Sequence, residues 1–170
     1  AAEVSQVSVN GQNPGGSDLL WVLGDAAVTE AFAVTPGVIS GEGLIEVNAL
    51  DAPYRGIEHV FVAGNATADG LTVYDDGRDN TWTVSKGTNG DLVQIDGRES
   101  IDFWGFDGVE LMNQSGTDLF RVYPATTAGY TSLKVTGGGA LLDDVLEIIG
   151  TPADDVVTST LDTVTLNTRP

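Results

Sequence analysis

The chain has 170 residues, enough for one domain with a real core, and a lopsided charge: 25 acidic against 7 basic residues, a formal net charge of −18. That balance repels nucleic acid and anionic membranes, so both are disfavoured as partners. Cysteine is absent, which excludes disulfides and thiolate metal sites, and no apolar run approaches the roughly 20 residues of a membrane span.

Residues 1–17, rich in Gly, Asn, Ser and Pro from Gln6 to Ser17, read as a loose or strand-donating arm before a single β-repeat domain over 18–170. The start, Ala1-Ala2-Glu3, resembles a mature end after signal-peptide cleavage. Beyond the arm come short apolar runs bounded by Gly, Asp, Asn or Pro. In chain order the expected strands are Leu19–Leu23, Ala31–Val34, Gly43–Val47, His59–Val62, Leu71–Tyr74, Thr81–Val84 and Leu92–Ile95. They continue with Ile101–Trp104, Val109–Met112, Leu119–Tyr123, Ser132–Val135, Val145–Ile149, Val156–Thr160 and Thr163–Leu166. A rhythm of about ten residues, filled with Val, Ile, Thr and aromatics, is that of all-β sandwiches, barrels and solenoids. Only Glu30–Phe32 and Ala140–Leu146 leave room for a helical turn.

Internal echoes narrow the choice. Tyr54-Arg-Gly-Ile-Glu58 and Phe106-Asp-Gly-Val-Glu110 share a pattern, each followed by a strand, a Gly/Asp turn and another strand. Asp18-Leu-Leu-Trp-Val-Leu-Gly24 matches Asp144-Val-Leu-Glu-Ile-Ile-Gly150, and Glu30-Ala-Phe32 matches Asp155-Val-Val157 after a one-residue slip. Such repetition predicts a parallel β-helix, a solenoid-like stack with coils of about 20 residues. An antiparallel β-sandwich is the alternative, because Leu19–Leu23 and Val145–Ile149 are apolar on both faces for part of their length.

The phrases Asp107-Gly-Val-Glu110, Ser115-Gly-Thr-Asp118-Leu-Phe-Arg-Val122 and Asp144-Val-Leu-Glu-Ile-Ile-Gly150 resemble the Gly/Asp-rich tandem repeats of large secreted bacterial surface proteins. The resemblance implies a stalk, adhesin scaffold, fibre or layer component. It is distantly similar in style to the calcium-binding nonapeptide repeat. The nearest stretch here, Gly137-Gly-Gly-Ala140-Leu-Leu-Asp143-Asp144, lacks the third spaced glycine and has no neighbouring copy.

Candidate chemistry is sparse. Asp75, Asp76 and Asp79, with Asn80, cluster oxygen ligands in one tight turn, the donor type that calcium takes. The competing reading is a solvated turn partly neutralised by Arg78. Glu58 and Glu110, the acids at matched positions of an echo, are expected to serve the fold by receiving turn N–H groups. One histidine, His59, no cysteine and no nucleophile elbow or phosphate loop leave no catalytic constellation, so no enzyme is expected. Trp82, Trp104, Tyr74, Phe103 and Phe106 are expected mostly in packing, but the density of Phe103-Trp104-Gly105-Phe106 requires at least one ring to face outward. Asn65 and Asn113 head glycosylation sequons.

The sequence therefore predicts a non-enzymatic extracellular or cell-surface structural module that associates end to end into a homopolymer. The alternative is an adhesin or carbohydrate-binding module with a glycan or surface partner, stabilised by calcium.

Overall fold

The computed structural model describes residues 9–11, 18–48, 50–65, 68–123, 129–137, 144–150, 155–159 and 164–168. Among them are sixteen strands and no helix. In chain order they are β1 (Val9–Asn10), β2 (Leu19–Leu23), β3 (Ala31–Pro36), β4 (Glu42–Val47), β5 (Leu50–Arg55), β6 (His59–Ala63), β7 (Gly70–Tyr74) and β8 (Thr81–Lys86). There follow β9 (Asp91–Ile95), β10 (Ser100–Trp104), β11 (Phe106–Met112), β12 (Leu119–Val122), β13 (Tyr130–Thr136), β14 (Val145–Ile148), β15 (Asp155–Ser159) and β16 (Val164–Thr168).

The all-β expectation holds, in the form of a sandwich-like pair of seven-stranded mixed sheets. One has the order β1-β5-β4-β3-β7-β11-β13, the other β14-β12-β8-β9-β10-β6-β2, and β15 and β16 pair antiparallel with each other. In the first sheet β3, β7, β11 and β13 run parallel, whereas β4 folds back between β3 and β5. In the second, β2, β6 and β10 run parallel, as do β8, β12 and β14, with β9 antiparallel between the two groups. The purely antiparallel sandwich is thus not what forms.

The chain passes repeatedly from one sheet to the other, as from β2 to β3, β6 to β7 and β10 to β11. Side chains in contact between neighbouring rows are 38–41 residues apart through most of the fold, and 24–26 apart in the last rows. The 20-residue coil expected from the echoes is therefore not the spacing that forms. The extra strands β4 and β5, at the margin of the first sheet, and β9, between β8 and β10 in the second, lengthen the chain between successive parallel strands.

Strict alternation sets the core. β7, β8 and β9 bury every second residue, and Leu71, Val73, Trp82, Val84, Val93 and Ile95 all point into one cluster with Phe32, Val34, Ile101, Phe103, Leu111 and Phe120. Phe103 ties the sheets together: its ring lies 6.5 Å from Phe106 and 5.8 Å from Tyr130, both on the opposite sheet. Within one sheet Trp82 packs on Phe120 at 5.2 Å, one row away.

The passage from β10 to β11 uses a single residue, Gly105, at φ +80°. A Cβ there would meet the Gly64 carbonyl oxygen at 2.3 Å, so only glycine lets the two corners touch. Trp104 and Phe106 flank it with opposite orientations: Trp104 is 47% exposed and Phe106 is buried, as the local density of rings requires.

One strand escaped sequence reading. β5 contains Pro53 and Asp51, poor strand residues, yet pairs along its length with β4. It tolerates the proline because its outer neighbour, β1, pairs only from Tyr54 onward. β1 itself lies in the expected arm and adds in parallel to the sheet margin. Of the helix-ambiguous stretches, Glu30–Phe32 leads into β3, and 140–143 lie outside the described residues.

Replacing Phe103 by Ala removes the ring that bridges the sheets at a site with no solvent exposure. Urea unfolding followed by circular dichroism should show a loss of about 3–5 kcal/mol; a loss under 1 kcal/mol would mean the sheets do not share this core.

Candidate functional site

Each row begins or ends at a corner, and an acidic or amide side chain stands there. Asp18 precedes β2, Glu58 precedes β6, Asp69 precedes β7, and Asn80, Asp118 and Asp144 precede β8, β12 and β14. The carboxylates of Glu58, Asp69, Asp118 and Asp144 receive backbone N–H groups of adjacent rows that a sheet corner would otherwise leave unpaired. Asp18 N donates to Glu58 Oε2 at 2.7 Å, Glu30 N to Asp69 Oδ1 at 2.8 Å, and Asn80 N to Asp118 Oδ1 at 2.9 Å. Asp118 N in turn donates to Asp144 Oδ1 at 2.9 Å. Glu99, 3% exposed, does the same for Gly41 N at 2.9 Å and also accepts the Tyr54 hydroxyl. Burial, then the charge and hydrogen bond of Glu99, raise the Tyr54 phenol far above its ordinary value.

The turn expected to bind calcium lies between β7 and β8, and its three acids part company. Asp75 is 1% exposed and faces inward, where Oδ1 accepts Gln114 N at 2.9 Å. Burial raises its carboxyl despite that bond. Asp76 binds Arg98 through its Oδ2, and its Oδ1 accepts Asn80 Nδ2 at 3.0 Å. Burial opposes ionisation there too, but Asn80 and the Arg98 guanidinium outweigh it and hold the carboxyl low. Asp79 is spent on Thr117 N at 2.9 Å. Arg78, which the sequence offered as the neutralising cation, is exposed and only 3.8 Å from Asp76; Arg98, 22 residues away, is the real partner.

The geometry adds three neighbours that sequence reading passed over. Asn113 stands beside Asp75, because Tyr74 and Met112 are register partners and Asp75 N donates to Met112 O. Asp118 and Asp144 occupy the next rows. Burial pushes the Asp118 carboxyl up to about 6 against the hydrogen bonds from Asn80 and Trp82, and the charges of Asp75 and Asp144 push in the same direction. Asn113 is 2% exposed, so its sequon is not an accessible glycosylation site, whereas Asn65 is exposed. Among the described residues no three His, Cys, Asp or Glu side chains are arranged to hold a metal ion.

The echo of Glu58 and Glu110 is not structural equivalence. Glu58 sits at a corner and receives an N–H, as expected. Glu110 lies within β11 and instead accepts Lys134 Nζ at 2.7 Å and Thr136 Oγ1 at 2.6 Å, which hold its carboxyl below its ordinary value. The other echo is matched in one half only: β2 and β14 are parallel strands of one sheet, at its two opposite edges, whereas β3 joins the other large sheet and β15 pairs with β16.

An apolar outer face follows from the same pleat. Trp21 is 51% exposed and packs on Phe61, its register partner, with ring centres 4.3 Å apart. Phe61 and Trp104, with Lys86, Thr88, Asn89 and Gly90, line a shallow groove of about 350 Å³, and Lys86 Nζ sits 5.3 Å from the Trp104 ring. No helix among the described residues is long and apolar enough to cross a membrane. Compared with protein-family models, characterised sequences and solved structures, the chain finds no match.

The Asp76–Arg98 pair is nearly buried, with side-chain exposures of 2% and 10%. Arg98→Met should destabilise the fold at pH 7 by about 3 kcal/mol, because it strands a charge, and adding Asp76→Asn should recover most of the loss. Since the folded carboxyl is depressed, its contribution is full above pH about 4 and fades as the pH falls through its folded value. Urea melts at pH 7 and pH 3 should therefore show the gap between Arg98→Met and the parent closing in acid.

Proposed function

We propose that this domain is a non-enzymatic structural module of an extracellular or cell-surface fibre, stalk or layer, built by end-to-end stacking of copies into a solenoid-like array. One observation carries the reading. Leu146 of β14 is in register with Phe120, whose side chain is in the core at 1% exposure, yet Leu146 is 39% exposed. A core-facing residue is left open at the margin of the sheet, beside Val145 at 48% and Ile149 at 39%.

At the far margin β2 offers the matching half. It is parallel to β14, carries the same Asp-to-Gly phrase, and exposes Leu19 at 43% and Leu23 at 65%. Placed side by side, β14 of one copy and β2 of the next would continue the pattern already made by β12 and β14. Open strand edges with apolar side chains pair with other chains unless something blunts them. The net charge of −18 opposes such association at low salt and is screened at higher ionic strength.

Sedimentation across a salt series should show assembly rising with ionic strength. Leu146→Glu should abolish it while leaving the β-rich circular dichroism intact. A chain that stays monomeric at every salt and protein concentration would remove the stacking reading.

The groove between Phe61 and Trp104 favours a second reading, a carbohydrate-binding module. The exposed Trp104 ring, beside amide, hydroxyl and ammonium donors, suits the apolar face and rim of a sugar. Retention on a polysaccharide column that disappears in Trp104→Ala, with stability unchanged, would support it; equal retention of both proteins would exclude it.

A further inference from the structure

The corner where β7 meets β8 and β11 meets β12 holds three buried oxygens that no hydrogen-bond donor reaches: Asp75 Oδ2, Asp118 Oδ2 and Asn113 Oδ1. Their residues are 1%, 1% and 2% exposed. Uncompensated buried acceptors cost stability, and three at one corner need a common explanation. We propose that this corner is a calcium site whose protein ligands are the Asp75 and Asp118 carboxylates and the Asn113 amide oxygen.

The amide is the informative member. Asn113 Nδ2 donates to Asp144 Oδ1 at 3.2 Å, and that same oxygen takes Asp118 N at 2.9 Å. This fixes which side of the amide carries nitrogen, and leaves its carbonyl oxygen inside the corner without a donor. The acids are oriented in the same way. Each spends Oδ1 on the chain, Asp75 on Gln114 N and Asp118 on Asn80 N and the Trp82 indole, and keeps Oδ2 back.

Charge separates an ion from ordered water. Water can donate to these oxygens but does not offset the repulsion of Asp118 by Asp75 and Asp144. Among the described residues no Lys, Arg or His forms an ion pair with Asp75 or Asp118, and Arg98 is engaged by Asp76. A divalent cation answers both needs at once. Two carboxylates and an amide are hard oxygen donors, and backbone carbonyls and water would complete the six to eight ligands that calcium takes. This set shares only Asp75 with the three turn acids that the sequence suggested; Asp76 and Asp79 are held by Arg98 and Thr117.

Trp82 supplies the readout, because its Nε1 is 3.4 Å from Asp118 Oδ1. In the full chain carrying Trp21→Phe and Trp104→Phe, terbium should give luminescence excited through Trp82, and calcium should displace it. Calcium at about a hundred times its Kd should raise the melting temperature by about 5–10 °C over EDTA, beyond any effect of sodium chloride at matched ionic strength. Asp75→Asn and Asp118→Asn should each lose the luminescence and the calcium shift, yet melt in EDTA no lower than the parent, since they remove buried like charges. Absence of Trp82-excited luminescence, or a calcium shift no larger than that of sodium chloride, would overturn the proposal. So would a calcium shift that survives unchanged in both variants, because the ion would then lie elsewhere.

Discussion

A sheet corner is where backbone N–H groups lose their ladder partners, and in this fold carboxylate and amide oxygens take their place. The chain turns from one sheet to the other many times, and at these turns Glu58, Asp69, Asp75, Asp79, Asp118 and Asp144, with Glu99 in the turn between β9 and β10, each receive an N–H from a segment 26 to 58 residues away. These bonds are charge-assisted and thus stronger than neutral ones. They are also long-range, so they fix which rows lie side by side. Much of the acidic composition is therefore part of the fold rather than a solubilising coat.

Parallel stacking makes that solution costly. Register pairing puts equivalent corner residues above one another, and identical acids would then repel across adjacent rows. The sequence breaks the series with amides and glycine. Asn80 stands in line with Asp118 and Asp144, and Asp75 in line with Asn113 and Gly137. Asn80 goes further, spending its side-chain amide on Asp76 and the Arg78 carbonyl. Where the substitution is incomplete, as around Asp118, burial and the neighbouring carboxylates raise the proton affinity of the site.

Much of the secondary structure was legible because alternation dominates locally. Leu71–Tyr74, Thr81–Val84 and Leu92–Ile95 each bury every second residue, and the strands observed differ from those expected by a residue or two at the ends. β5 was hidden by Pro53, whose tolerance depends on what lies beside it in the sheet, a fact no local window contains. The topology was hidden for a related reason. The extra strands β4, β5 and β9 carry the same residue types as the parallel strands they separate along the chain, so an apparent 20-residue period concealed a spacing of 38–41 residues through most of the fold.

The acidic corner was half legible. Clustering along the chain singled out Asp75, Asp76 and Asp79, but proximity in sequence and convergence in space are different properties in a strand-built corner. Successive strand residues point to opposite faces, and Asp75 and Asp76 follow that rule: one turns inward and the other meets Arg98. The residues that join Asp75 inside come from the following row, Asn113 and Asp118, 38 or more residues downstream. A usable signal did exist. Asp75 and Asn113 each follow a strand of alternating residues, and Asn80, Asp118 and Asp144 each precede one, so aligning strand ends rather than whole phrases brings the same residues together. Where parallel strands pair in register, the chemistry of a corner is shared between neighbouring turns: the β7–β8 turn supplies Asp75 and the β11–β12 turn supplies Asn113 and Asp118, so neither turn read alone contains the whole set.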